Sequence, residues 1–363
     1  MASATISASS RQPPAGLAYP FLTPPESGAL IAVAPGVYWL RMPLPFVLDH
    51  INLWLLRDRD SPCGQPGWTL VDTGFALESV QLVWEQVLAR LDGPIVRIIA
   101  THFHPDHVGL ADWLQQRYPA APLLMTAGEF LSAHAVWHEI AGHGVAAMLA
   151  QFRHHGLDEV RLAALAARGN GYRKGVSALP QTYQRLIDGQ ILHIGGRAWQ
   201  IIDGQGHSPE HAMLYCAELG VLISGDMLLP KISTNVSVFA GTPDDDALQR
   251  YLDALSRYVA MIPEATLILP SHGLPFTGLK VRVEALQAHH AERLGVLEEN
   301  CTVPRCAAEL LETLFPRALD THQTLFAMGE AIAHLNHLER TRRLSRCCDS
   351  AGIVRFVQAD PAS

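Results

Sequence analysis

The sequence lacks three features that would place it in a familiar class at once. No apolar run approaches the roughly 18 residues that a membrane helix needs. The stretch M-A-S-A-T-I-S-A-S-S-R at the start lacks the apolar region of a secretory signal peptide. None of the six cysteines forms a C-x-x-C pair, which argues against a zinc ribbon or a disulfide framework. We therefore expect a soluble, cytoplasmic protein with reduced thiols and no membrane partner.

Positive charge is also scarce relative to negative charge. The 363 residues carry 27 basic and 35 acidic side chains, for a formal charge of −8 and a pI near 6.1. This balance argues against a protein whose main task is to grip the phosphate backbone of nucleic acid. Hydrophobic residues make up 48%, so the chain can bury a sizeable core in one large or two unequal domains.

The chain divides into parts with different sequence patterns. Residues 1–20 are predicted to be a disordered lead-in, and residues 21–280 a main domain in which short strand patterns alternate with helices. The rhythm breaks at 128–186, where Ala-, His- and Arg-rich stretches predict a helical insertion. Residues 281–363 predict a linker helix and then a small helical module closed by a β-hairpin.

The stretch T-H-F-H-P-D-H, residues 101–107, carries the clearest chemical signal. It follows the apolar strand pattern I-V-R-I-I-A, so the alternating His102 and His104 can project to the same side. Asp106 and His107 follow in a loop that can fold back and supply a second pair of ligands. Histidines in loops are mostly solvent-exposed and inert, but this spacing directly after an apolar strand favours a metal site.

Further ligand-type residues end other predicted strands. His207 follows W-Q-I-I in D-G-Q-G-H-S-P-E-H, Asp226 ends I-S-G-D, and His272 lies in I-L-P-S-H-G. Asp72 ends an earlier strand in V-D-T-G. A single aspartate at a strand end is often a turn former. Four strands that each deliver histidine or aspartate indicate one shared edge.

Taken together, the motifs T-H-F-H-P-D-H, G-H-S-P-E-H, S-G-D and S-H-G resemble those of the metallo-β-lactamase-fold hydrolase superfamily. The resemblance covers roughly residues 28–278. It implies an α+β fold, the αββα sandwich, in which two mixed sheets lie face to face with the metal site along one edge.

The resemblance also implies a complete set of metal ligands. One zinc ion would be held by His102, His104 and His207, and a second by Asp106, His107 and His272. Asp226 would bridge the two ions, and Asp72 would orient ligands rather than bind metal. His211 is predicted to support the site from behind, because the ligand positions are already filled. Imidazole and carboxylate suit zinc, although they also suit manganese or iron.

The reaction implied by this family is hydrolysis at a dinuclear metal centre. A bridging hydroxide would attack the carbonyl of a small organic substrate, a thioester first and a lactone second. The catalytic carboxylates would be Asp106 and Asp226.

Two residues after Asp226 are predicted to contact the substrate. Lys231 would meet an anionic group, and Asn235 would donate a hydrogen bond. His50 and Asn52, in the first hairpin, are further candidates. The insertion 128–186 would serve either as a lid or as the surface of a homodimer.

Residues from about 300 resemble the winged-helix extension that one branch of the superfamily carries. A winged helix suggests nucleic acid, and four arginines cluster there, Arg340, Arg342, Arg343 and Arg346. However, residues 296–363 hold seven arginines and no lysine against nine acidic residues, a net charge of −2. We therefore favour a packing or dimerising role for this winged-helix-like module over nucleic-acid binding.

Three other functions remain open. A metal-dependent endoribonuclease is favoured by the overall architecture and disfavoured by the charge. A mononuclear-iron persulfide dioxygenase would use similar ligands. A metal-binding protein without catalysis is disfavoured because the ligand set is intact.

Overall fold

The computed structural model describes residues 16–59, 64–140 and 142–359. The first sheet has seven strands, which follow one another in chain order. The first four strands pair antiparallel, and the fourth to seventh pair parallel. The strands are β1 Ile31–Ala34, β2 Val37–Pro43, β3 His50–Arg59, β4 Pro66–Val71, β5 Ile95–Ile99, β6 Leu123–Thr126 and β7 Gln184–Leu186.

The second sheet has five strands in the order β12-β11-β10-β9-β8. Neighbouring strands pair antiparallel, except that β12 pairs parallel with β11. The strands are β8 Ile191–Ile194, β9 Arg197–Gly204, β10 His211–Cys216, β11 Val221–Gly225 and β12 Leu267–Pro270.

Ten α-helices lie among the described residues. They are α1 Glu78–Leu88, α2 Pro105–Val108, α3 Ala111–Arg117, α4 Ala127–Trp137, α5 Val145–His154, α6 Glu159–Arg168, α7 Ala247–Met261, α8 Leu279–Asn300, α9 Leu311–Leu314 and α10 Thr321–Arg340. Short 3₁₀ turns occur at Gly171–Lys174 and Ala307–Leu310. Within the described residues, no helix combines the length and the apolar character needed to cross a membrane.

Three apolar clusters arrange these elements in layers. One cluster joins the two sheets directly and includes Trp39 and Trp54 from the first sheet and Trp199 from the second. A second cluster packs α1 and α3 on the outer face of the first sheet, and a third packs α7 and α8 on the outer face of the second. Because both faces of each sheet are covered, strands such as β3, H-I-N-L-W-L-L, are apolar along their length rather than alternating. The predicted αββα sandwich is confirmed.

The predicted insertion at 128–186 is largely helical, as expected, and contains most of α4 together with α5 and α6. It ends differently from the prediction, because Gln184–Leu186 forms β7 and extends the first sheet. The insertion also touches the motif at 101–107, since the Tyr172 hydroxyl donates to the carbonyl of Phe103 at 2.6 Å.

The predicted disordered lead-in was placed too far along the chain. Residues 1–15 lie outside the described part of the structure. Ala18, however, exchanges backbone hydrogen bonds with Thr277 at 3.3 and 2.9 Å. Leu17 and Tyr19 pack against the cluster that holds the second sheet. Residues 16–20 are therefore part of the folded main domain.

The C-terminal module contains α9, α10 and an antiparallel hairpin, β13 Leu344–Cys348 with β14 Val354–Gln358. Its apolar side chains, Phe356 among them, share one cluster with α7 and α8. The module is thus packed directly on the outer layer of the second sheet. Its assignment as a winged helix stays a prediction, and residues 360–363 lie outside the described part.

Candidate metal centre

The ligand-type residues predicted from four separate stretches meet at one edge of the sandwich. Two groups of donor atoms lie there, each group within 4.8 Å. The first group comprises His102, His104, His207 and Asp226, and the second comprises Asp106, His107 and His272. They follow strands β5, β9, β11 and β12, so the carboxyl ends of strands from both sheets build the site.

The first group brings three imidazole nitrogens close together. Nε2 of His102 lies 2.9 Å from Nδ1 of His104 and 3.2 Å from Nε2 of His207. Nε2 of His207 lies 3.4 Å from Oδ2 of Asp226. Such a convergence of lone-pair donors with one carboxylate suits a cation.

The second group combines one carboxylate with two imidazoles. Nε2 of His272 lies 3.4 Å from Oδ2 of Asp106, and Nε2 of His107 lies 3.6 Å from the same oxygen. Two imidazoles and a carboxylate again provide the ligand types that zinc, manganese and iron accept.

The carboxylate of Asp226 lies between the two groups. Its Oδ2 is 3.4 Å from His207 and 3.6 Å from His107, and its Oδ1 is 3.4 Å from His272. The backbone N–H of Asp226 donates to Nε2 of His211 at 3.1 Å. The geometry therefore brings Asp226 close to both groups and puts His211 behind it.

The rear nitrogens of three histidines are held by acceptors. Nδ1 of His107 lies 2.8 Å from Oδ2 of Asp72. Nδ1 of His207 lies 2.8 Å from the carbonyl of Asn235, and Nδ1 of His272 lies 2.8 Å from that of His50. Because carbonyls and carboxylates only accept, Nδ1 carries a proton in each ring, and Nε2 is the nitrogen that faces the site.

Asp72 is held in an unusual backbone conformation. Its φ is +64°, a region that few residues other than glycine adopt. Its carboxylate accepts from the backbone N–H of Thr101 at 2.7 Å and from the Thr101 hydroxyl at 2.9 and 3.0 Å. Asp72 thus ties the end of β4 to the start of the 101–107 loop and orients His107. Thr101, which the sequence analysis did not single out, completes this arrangement.

The two groups differ in how strongly their histidines bind protons: His104 of the first group has a lowered pKa, and His272 of the second has a raised one. Burial, and then the neighbouring His207, lower the pKa of His104 to about 3. Burial would also lower the pKa of His272, but the carboxylates of Asp226 and Asp106 raise it to about 10. A divalent cation in the second group would take the place of that proton.

Glu129 is a buried acid that the sequence did not mark. Its carboxylate accepts from Ser208 Oγ at 2.6 Å, from Glu210 N at 2.7 Å and from Phe103 N at 2.9 Å. Burial raises its pKa to about 7, against the lowering effect of these hydrogen bonds. Glu129 braces the loop with His102 and His104 against the loop with His207. Nothing in its local sequence, A-G-E-F, distinguishes it from a surface glutamate.

The residues predicted to contact substrate differ in their exposure and in their contacts. Lys231 is exposed. The side chain of Asn235 accepts a hydrogen bond from Ser237 Oγ at 2.6 Å, and its amide nitrogen faces Glu330. The backbone carbonyl of Asn235 accepts from Nδ1 of His207. Asn52 is buried and donates to the carbonyls of Pro270 and Gly273, so it shapes the loop that carries His272.

The donor set fits a metal. Nε2 of His107 and Oδ1 of Asp226 are buried and have no hydrogen-bond partner. Unpartnered buried polar atoms are costly, and a cation at this edge would satisfy both.

Comparison with known proteins places similar sequences and structures in one family of metal-dependent hydrolases. A family model described as the metallo-beta-lactamase superfamily matches residues 48–272, and one described as the metallo-beta-lactamase-like C-terminal domain matches residues 294–359. The crystal structure of a beta-lactamase domain protein from Burkholderia ambifaria is similar, with 44% identity and a TM-score of 0.87, over 94% of this chain and 98% of that one.

Two curated relatives are more distant. A probable metallo-hydrolase, YqjP, from Bacillus subtilis is 24% identical over 83% of this chain and 91% of its own. A hydroxyacylglutathione hydrolase from Roseobacter denitrificans is 29% identical over 50% of this chain and 71% of its own.

Proposed function

Because the chain belongs to the metallo-beta-lactamase superfamily and is a metal-dependent hydrolase, we propose that it cleaves a thioester of a small organic acid at a pair of divalent ions, zinc by preference. The observation that carries this proposal is the position of Asp226, whose two oxygens face the two groups of donors. A carboxylate shared in this way suits two cations better than one.

The ligands follow from the two groups. One ion would be held by His102, His104 and His207, the other by Asp106, His107 and His272, with Asp226 between them. When bound, such ions supply activated water near neutral pH and polarise the substrate carbonyl.

The protein's own residues prepare the site for that chemistry. Asp72 and the carbonyls of Asn235 and His50 keep the protons on the rear nitrogens, so that the front nitrogens stay available. The charges of Asp106 and Asp226 offset much of the positive charge that two cations bring. Both carboxyl groups have lowered pKa values: burial opposes this, but the adjacent His107 and His272 favour the charged form.

A thioester is favoured as substrate by the similarity to the hydroxyacylglutathione hydrolase. Hydrolysis of RNA, the main alternative, receives little support from the arginines of the C-terminal module. Arg343 is paired with Glu298, and Arg346 with Asp244 and Glu339. Since the charges of Arg343 and Arg346 are already paired with carboxylates, these two side chains add little to a surface for phosphates.

The decisive experiment is to measure the metal content of the purified protein and then assay thioester, lactone, phosphodiester and β-lactam substrates in parallel. We expect about two zinc equivalents and the highest kcat/KM on thioesters. Preferred cleavage of the phosphodiester, or iron with oxygen consumption on a persulfide, would contradict the proposal. Omitting metal after chelation serves as the control, and activity should return when zinc is restored.

A further inference from the structure

The segment that follows β11 carries two elements of the site, Asp226 and the carbonyl of Asn235. Between residues 228 and 238 it forms neither helix nor strand, so its own backbone pairing does not determine its shape. Its conformation therefore depends on the elements packed against it.

Two of those elements are the helices α7 and α8, which precede the C-terminal module in the chain. The Tyr251 hydroxyl on α7 donates to the carbonyl of Met227 at 3.2 Å. The buried Arg282 guanidinium on α8 donates to the carbonyls of Leu229 at 2.5 Å and Ile232 at 2.7 Å. These contacts hold the first half of the segment and leave the second half, around Asn235, to other partners.

The second half is held by helix α10 of the C-terminal module. The backbone N–H of Val238 donates to the carbonyl of Gly329 at 3.4 Å. The side-chain amide of Asn235 lies 3.4 Å from Oε2 of Glu330, whose other oxygen is 3.2 Å from the Arg293 guanidinium. Val238 also shares an apolar cluster with α10.

Gly329 permits the closest approach. A Cβ at this position would lie 2.7 Å from Oγ and 2.9 Å from Cβ of Ser237. Neither atom is the end of a long flexible side chain, so a methyl group would displace the segment. Alanine is otherwise the better helix former by about 1 kcal/mol, so harm from Gly329→Ala would come from this contact.

We infer that the C-terminal module is a positioning element of the metal centre, acting through Gly329 and Glu330 on Asn235 and through Asn235 on His207. The backbone carbonyl of Asn235 accepts a hydrogen bond from Nδ1–H of His207 at 2.8 Å. Displacement of the segment would weaken this hydrogen bond and turn the Nε2 lone pair away from the first group. The inference rests on the proposed assignment of His207 as a ligand, but not on the identity of the substrate.

The test compares metal affinity, measured by competition with a chelator, across a small set of variants. Gly329→Ala should weaken zinc binding by about 10-fold, the scale found when groups behind a metal ligand are lost, and should alter the visible spectrum of the cobalt-substituted protein. Adding Ser237→Gly removes both clashing atoms, together with the Ser237 hydrogen bond to the Asn235 side chain, and should restore most of the affinity and the spectrum. Wild-type affinity in Gly329→Ala, or no recovery in the double variant, would overturn the inference.

Asn336→Ala is the matched control. Its buried amide also lies on α10, but it donates to the carbonyls of Pro243 and Asp245 rather than to the segment. It should lower the Tm without changing zinc affinity, and an equal loss of affinity would reduce the effect to general destabilisation and so refute the inference.

If Gly329→Ala does not fold, Asn235→Ala decides the question. It keeps the backbone carbonyl and removes the side-chain links to Glu330 and Ser237, so zinc affinity should fall by a smaller factor, and wild-type affinity would refute the inference. Because zinc affinity and the cobalt spectrum are measured without substrate, a failed thioester assay leaves these results interpretable. His207→Ala shows separately whether His207 binds metal.

Discussion

Two groups of buried histidines in this protein have similar composition and opposite chemistry. At the sandwich edge, histidine rings turn their free nitrogens toward common points beside Asp106 and Asp226. Between α8 and α10, His290 and His334 lie ring to ring, with Nδ1 of His290 3.1 Å from Nε2 of His334. Within the described residues, the latter pair belongs to no group of three or more metal-type donors.

The hydrogen bonds of this second group run in one direction. Nδ1 of His334 donates to the carbonyl of Glu330 at 2.8 Å, so the neutral ring accepts at Nε2. Nδ1 of His290 must then donate, which leaves its Nε2 buried without a partner. We call His290 and His334 the histidine relay.

The difference lies in what stands behind each ring. At the metal edge, an acceptor behind the ring frees the front nitrogen toward a shared space. In the histidine relay, Nε2 of His334 meets the other ring, and Nε2 of His290 is buried without a hydrogen-bond partner. Burial of histidine is therefore no sign of metal binding unless several free nitrogens point to one place.

The largest effect should come from Asp226→Ala, which removes the only carboxylate that contacts both groups among the described residues. We expect the metal content to fall and hydrolysis to drop below detection, because the adjacent imidazoles then face two cations without the shared negative charge. Elemental analysis and the thioester assay measure this. Asp253→Ala, on the exposed face of α7, is the control, and a fully metallated, active Asp226→Ala protein would disprove the assignment.

A smaller effect is expected from Asp72→Asn. The amide can no longer accept from both His107 and Thr101 with two charged oxygens, so zinc affinity should fall roughly 10- to 100-fold. Chelator competition measures this loss. Asp58→Asn changes another buried aspartate of the first sheet, which accepts from Thr69, and should reduce stability alone. Equal zinc affinities in the two variants would contradict the role of Asp72.

The smallest effect concerns the pH dependence of stability. Burial, and then neighbouring positive groups, lower the pKa of His334 to about 3, and burial with the adjacent His334 lowers that of His290. In the unfolded chain both rings take up protons as the pH falls through about 6.5. Below that pH the unfolded state binds more protons, so stability falls, by up to about 1.4 kcal/mol per histidine per pH unit.

The double variant His290→Leu with His334→Leu tests this expectation. Its Tm, followed in the metal-free protein from pH 7 to pH 4.5, should fall less steeply than that of the wild type. Its metal content and activity at pH 7.5 should be unchanged. His193→Leu, at an exposed site on β8, should keep the wild-type slope. A loss of metal in the double variant would show that the two groups are not distinct.

Much of the site could be predicted from local sequence. The spacing of His102, His104, Asp106 and His107 after an apolar strand is a property of a few consecutive residues. His207, Asp226 and His272 each follow an apolar run, and the carboxyl ends of such strands form the edges of a sheet. Side-chain chemistry at strand ends therefore indicated which residues would converge.

The tertiary structure alone decided how these residues are held. Backbone carbonyls such as those of Asn235 and His50 can come from any amino acid, so no residue type announces them. Glu129, Gly329 and Glu330 act across long separations in the chain, and their local sequences resemble ordinary helix. The sequence by itself determined the kind of chemistry because ligand atoms are a property of side chains. The orientation of those atoms depends on contacts that exist only once the sheets, the segment after β11 and the C-terminal module have packed together.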